Sequence, residues 1–213
     1  MSSKIYIVGM GPGTGEMMTP QADHALCGSD VIVGYPVYLK LLGVKYREKE
    51  FLSTPMKQEV RRCEMCFEEA EKGKTVAISN VSDPTFGEEI LGKGVAIIPA
   101  EGRIYAPADG TIEMLFDTMH AVSMTTSEGV ELLIHIGLDT VALKGEHFTA
   151  YKGNGDSVKK GELLIEADLD AVKKAGYDVI TPVVVCNTSD YQTVETVTDQ
   201  EVEPGDTVLI LNK

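Results

Sequence analysis

One of the chain's four histidines, His135, lies where its chemistry could be used. It belongs to the apolar run Val130–Ile136, which is followed at once by Gly137 and Asp139. A histidine inside a buried strand is more often a core residue than a catalyst. Strand alternation, however, directs this side chain away from its two isoleucine neighbours, and the glycine suits a strand that runs into a shallow, exposed site. A neutral imidazole nitrogen there would be a nucleophile near pH 7.

A second histidine of interest is His120, in the sequence Thr118-Met-His120 directly after the predicted strand Thr111–Phe116. The other two are His24, on a predicted helix, and His147, in a polar turn. We interpret those two as surface residues. His120 and His135 are therefore the candidates for a functional site.

Two further motifs are weaker. Cys63 and Cys66 have a C-x-x-C spacing within the predicted helix Lys57–Lys72, but a zinc site of this type needs a second pair of ligands. We favour two cysteines on or near the buried face of the helix. The glycine-rich stretch from Gly9 to Gly15 lacks both the third glycine of the dinucleotide fingerprint and the lysine of a Walker loop, so it predicts a tight strand-to-helix connection.

The charge of the chain is concentrated in one part. The 213 residues carry a formal net charge of −14, yet residues 1–75 sum to zero, and the whole excess lies in residues 76–213. This step predicts two units, which we place at residues 1–74 and 75–213. The acidity argues against nucleic acid or an anionic membrane surface as the main partner, since phosphate groups attract clustered Lys and Arg.

The sequence also predicts a cytoplasmic chain without membrane insertion. No apolar run reaches the roughly 18 residues of a spanning helix, and the first residues do not form a signal peptide. Four irregularly placed cysteines suit a reducing compartment better than a disulfide scaffold.

The elements that position these residues differ between the two parts. Residues 1–74 predict an α/β fragment of βαβ type, with an apolar stripe on its long helix that includes Val60 and Phe67. Its predicted strands and helices are Ile5–Val8, Val31–Val33, Glu50–Leu52, Pro20–Gly28, Pro36–Leu42 and Lys57–Lys72.

Residues 75–213 predict an all-β antiparallel sandwich, because short strands alternate with Gly, Asp and Pro turns. A V-x-x-G-[ED] turn occurs twice, after Val158 and after Val202, which indicates a quasi-repeated β unit. The predicted strands are Val95–Ile98, Thr111–Phe116, Val130–Ile136, Glu162–Ala167, Thr181–Val185 and Thr207–Leu211, with one short helix at Leu169–Ala175.

The first part resembles the start of the tetrapyrrole (precorrin) methyltransferases, with the precorrin-3B C17 type as the nearest likeness. The matching stretches are Ile5-Tyr-Ile-Val-Gly-Met-Gly-Pro-Gly13, Met18-Thr-Pro-Gln-Ala22, Asp30-Val-Ile-Val-Gly-Tyr35 and Arg61-Arg-Cys63. The resemblance implies a truncated half of a methylase lobe, in which the Gly-Pro-Gly loop would line the cleft for S-adenosylmethionine and the corrinoid.

The second part resembles the glucose-type IIA component of the bacterial phosphoenolpyruvate:sugar phosphotransferase system. This family has an antiparallel β-sandwich, a flattened barrel with a duplicated hybrid motif. The matching stretches are Asp83-Pro-Thr-Phe86, Leu91-Gly-Lys-Gly-Val-Ala-Ile97, Ala106-Pro-Ala-Asp-Gly-Thr111, Thr118-Met-His120-Ala, Val130-Glu-Leu-Leu-Ile-His-Ile-Gly-Leu-Asp-Thr-Val141, Leu143-Lys-Gly145 and Thr181-Pro-Val-Val-Val185.

The resemblance implies a phosphoryl relay that needs no cofactor and no metal. His135 would take the phosphoryl group from the histidine phosphocarrier protein and pass it to the IIB domain of a sugar permease. His120 would hydrogen-bond the phosphoryl oxygens, and Thr118 would hold His120 in the required tautomer. The family's partner-binding rim corresponds to Asp83, Phe86, Phe116, Asp139 and Val141, of which the two phenylalanines could equally be packing residues.

Four other functions are compatible with parts of the sequence pattern. A lysostaphin-type zinc peptidase would need a His-x-His pair, and here Gly137 takes the second position. A lipoyl- or biotin-type carrier would need an exposed lysine at a hairpin tip. A methylase fragment that binds S-adenosylmethionine, and a regulatory binding protein without a transport role, stay open as alternatives.

Overall fold

The computed structural model describes residues 4–11 and 17–213. The chain divides into two compact units, Ser3–Glu71 and the unit that begins at Lys72 and ends at Lys213. Within the described part of the chain, no helix has both the length and the apolar character to cross a membrane.

The first unit contains a short parallel β-α-β arrangement. Strand β1, Val31–Gly34, pairs in parallel with strand β2, Glu50–Ser53, from Val31↔Glu50 onward, and helix α2, Pro36–Leu41, lies between them in the sequence. Helix α1 begins as predicted: Thr19 accepts a hydrogen bond from the Ala22 amide at 3.2 Å, with proline at the first helical position. The bounds are α1 Pro20–Gly28, β1 Val31–Gly34, α2 Pro36–Leu41, β2 Glu50–Ser53 and α3 Glu59–Glu71.

Two predictions for this unit are wrong. Residues 5–8 form no strand; they have no partner in the β1–β2 pair, and Ile7 is fully exposed. The predicted apolar stripe of α3 is not buried either, because Val60 is 73% and Phe67 60% exposed. The apolar core of the unit is supplied by α1, β1 and the segment after α2 instead, through Leu26, Ile32, Leu42 and Tyr46.

The two cysteines of α3 are placed differently from each other. Cys63 is exposed, contrary to the interpretation given above, whereas Cys66 is half-buried on the same side of the helix as Arg62 and so lies near the covered face. The covered face of α3 carries Arg62, whose guanidinium donates to the Thr54 hydroxyl at 2.7 Å. A polar anchor thus replaces the apolar one that the periodicity indicated.

The second unit is built mainly from antiparallel strands, as predicted. One sheet has the order β10-β6-β7-β8-β12-β4-β3-β14, another the order β5-β11-β9, and β13 pairs with β15. The bounds are β3 Gly73–Ala77, α4 Pro84–Gly87, β4 Lys93–Ile98, β5 Arg103–Tyr105, β6 Gly110–Leu115, β7 Ala121–Thr126, β8 Glu131–His135, β9 Phe148–Ala150, β10 Ser157–Val158, β11 Leu163–Ala167, α5 Leu169–Lys174, β12 Thr181–Val185, β13 Thr193–Thr196, β14 Glu201–Val202 and β15 Leu209–Asn212.

The main core lies between these sheets. Ile112, Met124 and Ile134 from the long sheet pack in one cluster with Leu164 and Ile165 from β11. Burial of such a cluster between facing sheets is what defines a sandwich. A second cluster, around Phe86, Ala96 and Val184, covers the opposite face of the long sheet, and this second face carries the site described next.

Candidate functional site

His135 is the last residue of the central strand β8, which lies between β7 and β12. Its neighbours along the strand alternate as predicted: Leu132 and Ile134 enter the main core, whereas Leu133 packs against the second cluster. His135 therefore shares the face of Leu133. It is half-buried there, since the Phe86 ring stands with its centroid 5.1 Å from that of the imidazole.

The turn after β8 fixes the tautomer of His135. Its Nδ1 lies 2.7 Å from the carbonyl oxygen of Gly137. A carbonyl oxygen only accepts, so Nδ1 carries the proton and the lone pair of the neutral ring is on Nε2. Gly137 has φ +74°, and a Cβ at this position would stand 2.5 Å from the Asp178 carbonyl oxygen, so the turn requires glycine here.

His120 stands beside His135, in the turn that precedes β7. The two ring centroids are 4.8 Å apart with the rings nearly perpendicular, and Ala121 pairs directly with His135 in the sheet. His120 is only 5% exposed, and its Nδ1 lies 2.5 Å from the Thr118 hydroxyl. The structure thus brings together the three residues predicted to carry the chemistry.

Burial keeps both histidines uncharged near pH 7. It lowers the pKa of His120 from 6.5 to about 4, with a smaller contribution from the neighbouring His135. Burial also lowers the pKa of His135, although the Gly137 hydrogen bond and the charges of Asp83 and Asp139 act in the opposite direction. Two neutral imidazoles side by side offer one nucleophilic nitrogen and one N–H donor.

The predicted rim residues surround the two rings in different ways. Phe86 is 4% exposed and packs on His135, so it offers a partner little surface; the Phe116 ring stands 5.5 Å from that of His120. Asp83 caps the short helix α4 by accepting from the Thr85 amide at 2.8 Å.

The other two rim residues belong to the turn after β8. Asp139 is exposed and has a left-handed backbone with φ 57°, and Val141 is 53% exposed. The outer surface of the site is therefore a small apolar area beside carboxylates. It carries no lysine or arginine among the residues named here.

Sequence reasoning did not assign any role to Thr140. This residue is fully buried, and its hydroxyl donates to the Ile136 carbonyl at 2.6 Å. The available signal in the sequence was a threonine three residues after Gly137, the glycine that follows the strand of His135. Pro12 and Gly13 of the N-terminal glycine-rich loop lie outside the described residues, and in the part that is described no three metal-ligating side chains are grouped.

Comparisons with known proteins match both parts of the chain. The family described as phosphoenolpyruvate-dependent sugar phosphotransferase system, EIIA 1, matches residues 67–191, and the tetrapyrrole (corrin/porphyrin) methylases match residues 4–98. Both resemblances drawn from the sequence are thereby confirmed. The two matches overlap at residues 67–98, which include β3, Asp83 and Phe86.

Individual relatives match the chain in agreement with the EIIA 1 family model. The glucose-specific EIIA component of Halalkalibacterium halodurans is 38% identical over 177 residues, 83% of this chain and 98% of that protein. The β-glucoside-specific EIIBCA component of Dickeya chrysanthemi is 46% identical over 131 residues, 62% of this chain but 21% of that protein. This chain spans about a fifth of the length of such multidomain relatives.

Among solved structures, glucose permease IIA from Mycoplasma capricolum matches with a TM-score of 0.61 and 36% identity, over 65% of this chain and 89% of that one. The chain therefore belongs to the EIIA 1 family of the phosphoenolpyruvate-dependent sugar phosphotransferase system, whose members are phosphotransferase components of sugar uptake.

Proposed function

We propose that Nε2 of His135 accepts a phosphoryl group from the histidine phosphocarrier protein and passes it to the IIB domain of a sugar permease. The observation that carries this proposal is the hydrogen bond from Nδ1 to the Gly137 carbonyl, which leaves the lone pair on the nitrogen that faces away from the turn. The His120 ring, whose centroid is 4.8 Å from that of His135, is the neighbour that would donate a hydrogen bond to the phosphoryl group.

The transfer is an exchange of one P–N bond for another. As the Nε2–P bond of His135 forms, the P–N bond of the donor breaks, and its electron pair stays with the donor's imidazole. The proton on Nδ1 of His135 stays on the ring and remains hydrogen-bonded to the Gly137 carbonyl. The phosphorylated ring is therefore positively charged, and this charge offsets part of the phosphoryl charge. Such a reaction needs mainly in-line positioning and charge stabilisation.

His120 and Thr118 complete the site in this proposal. The Thr118 hydroxyl lies 2.5 Å from Nδ1 of His120. In this proposal the hydroxyl donates to Nδ1, which leaves the proton of His120 on Nε2 for contact with a phosphoryl oxygen. In the unphosphorylated protein the pKa of His120 is about 4, so the donor that meets the incoming phosphoryl group at pH 7 is neutral. A neutral donor stabilises the phosphoryl group less than a cation would, which suits a site that must release the group again.

The partners follow from surface chemistry and from the relatives. Residues 76–213 carry all of the formal net charge of −14, so a carrier with positive charges around its own histidine would be attracted to this unit. The Dickeya relative is an EIIBCA component, which supports a IIB domain as the acceptor. The four cysteines are free thiols, in keeping with a relay in the cytoplasm.

The domain boundary belongs to this proposal. Sequence composition places it between residues 74 and 75, and strand β3, Gly73–Ala77, contains both positions. Gly73 pairs with Val202, and Lys74 pairs with both Glu201 and Ile98. We therefore assign β3 as a whole to the relay domain and propose that this domain begins just before Gly73.

The relay is tested with the full chain, phosphoenolpyruvate, enzyme I and the carrier protein. We expect acid-labile phosphate on the wild type and on His147→Asn, which changes an exposed histidine, and none on His135→Ala. His120→Gln should accept phosphate but pass it to a IIB domain slowly. Label on His135→Ala, or no label on the wild type, would contradict the relay; equal onward rates would contradict the role of His120.

A further inference from the structure

The turn that follows His135 contains one polar side chain that the relay as described does not use. Thr140 is fully buried, and its hydroxyl donates to the Ile136 carbonyl at 2.6 Å. A buried hydroxyl that closes a bond four residues back, across a positive-φ glycine, constrains the peptide groups between its two ends.

The Ile136 peptide is held from both sides. Its amide donates to the His120 carbonyl at 2.7 Å, and its carbonyl accepts from Thr140. Two residues farther along, the Leu138 amide donates to the Asp178 carbonyl at 3.0 Å. The residue between these anchors is Gly137, whose carbonyl accepts the Nδ1 proton of His135.

The methyl group of Thr140 acts on the same turn. A Cβ built on Gly137 would lie 2.6 Å from Thr140 Cγ2, so the threonine methyl fills the space beside the glycine. The hydroxyl holds the peptide before Gly137, and the methyl packs against Gly137 itself. Both ends of one side chain therefore limit how far the Gly137 carbonyl can rotate away from His135.

We infer that Thr140 is a positioning residue for phosphoryl transfer, which keeps the Gly137 carbonyl on Nδ1 of His135 and so keeps the reactive lone pair on Nε2. This inference rests on the proposed function, because the tautomer matters for transfer only if Nε2 of His135 is the phosphorylated atom. The effect on the tautomer itself can be measured without any transfer.

The alternative is that Thr140 is a core residue whose loss affects stability only. The chain offers a control for this. Thr75 is also fully buried and also donates its hydroxyl to a backbone carbonyl, that of Gln200 at 3.1 Å. It lies in β3, three strands away from β8, at a distance of roughly 14 Å across the sheet. A core role predicts the same consequences for Thr75→Val and Thr140→Val.

The test uses the full chain labelled with 15N-histidine. Two-bond 1H–15N correlations of the unphosphorylated protein at pH 8 report which nitrogen of His135 carries the proton. Wild type, Thr140→Ser and Thr75→Val should show the Nδ1–H tautomer, while Thr140→Val should show a mixture of tautomers. Transfer to and from the carrier should fall about tenfold in Thr140→Val, the usual effect of losing a group that orients a functional side chain.

Each outcome either supports or contradicts the role of Thr140. If Thr140→Val keeps the wild-type tautomer, or if Thr75→Val changes it equally, Thr140 is not a positioning residue. If Thr140→Val fails to fold, Thr140→Ser against Thr140→Ala gives the same comparison, since these two differ only in the hydroxyl. If the tautomer shifts but His135 is never phosphorylated in any variant, Thr140 does control the tautomer of His135 and the proposed relay is wrong.

Discussion

Acid should destabilise the second unit in a way that depends on His120. Burial holds the pKa of this residue at about 4 in the folded protein, against 6.5 ordinarily. Between these values the unfolded chain binds a proton that the folded chain does not. The contribution to stability is therefore complete above about pH 6.5 and is lost as the pH falls toward 4.

The magnitude follows from the difference in pKa. Each pKa unit corresponds to about 1.4 kcal/mol, so the full effect is about 3 kcal/mol, and about 2 kcal/mol is lost between pH 7.5 and pH 5. Carboxylates elsewhere also change stability with pH. The comparison of wild type with His120→Gln removes their share, because the variant keeps all of them.

The assay is urea unfolding at pH 7.5 and pH 5, followed through the amide signals of β7 and β8 so that the transition belongs to this unit. Wild type should lose about 2 kcal/mol more than His120→Gln over this range. His147→Asn, which removes an exposed histidine of the same unit, should behave like wild type. Equal losses in wild type and His120→Gln would refute the buried, uncharged state of His120 on which the neutral donor depends.

Two further predictions concern the frame of the site. Gly137→Ala should lower the free energy of unfolding by about 1–3 kcal/mol more than Gly129→Ala. Both glycines have positive φ, but of the two only Gly137 would place a Cβ against backbone, at 2.5 Å. Equal decreases in melting temperature for the two variants would show that the turn after β8 adjusts to a side chain without strain. A chain of residues 72–213 should fold with a higher melting temperature than one of residues 78–213, because the latter lacks β3 and its pairing with β4 and β14; equal melting temperatures would contradict the boundary placed before Gly73.

Much of the site could be predicted because its key residues lie in one short, distinctive stretch. His135 ends a strand with regular alternation, and Gly137 follows at a position where the backbone has a positive φ. The resemblance to the glucose-type IIA component then supplied the roles of His120 and Thr118, which the sheet brings beside His135 through the Ala121↔His135 pairing. Sequence separation gave no indication of that pairing by itself.

The missed features have physical causes. Strand β7, Ala121–Thr126, does alternate, with Val122 and Met124 buried and Ser123 half-buried, but two large apolar residues are too few to indicate a period in the sequence. Strands such as β10 and β14 have two residues each, too few for any period. Thr140 was missed because its role depends on a contact with the Ile136 carbonyl and on the space beside Gly137, and the residue type alone predicts neither.

In the first unit, by contrast, the sequence predicted a strand and a buried helix face that the structure does not show. Ile5–Val8 has the composition of a strand, and α3 has the spacing of an amphipathic helix, but each pattern needs a neighbour to bury it. The described strands of this unit form only the pair β1–β2, and residues 5–8 join neither. Periodicity reports which face could be buried, and only packing determines whether it is.

The position of the phosphoryl group on the histidine ring tests the central claim most directly. The full chain, labelled with 15N-histidine and phosphorylated through the carrier protein, can be examined by 1H–15N and 31P NMR. The hydrogen bond between Nδ1 of His135 and the Gly137 carbonyl predicts phosphorus on Nε2 of His135, with a proton retained on Nδ1. Phosphorus on Nδ1 of His135, or on His120, would contradict the account.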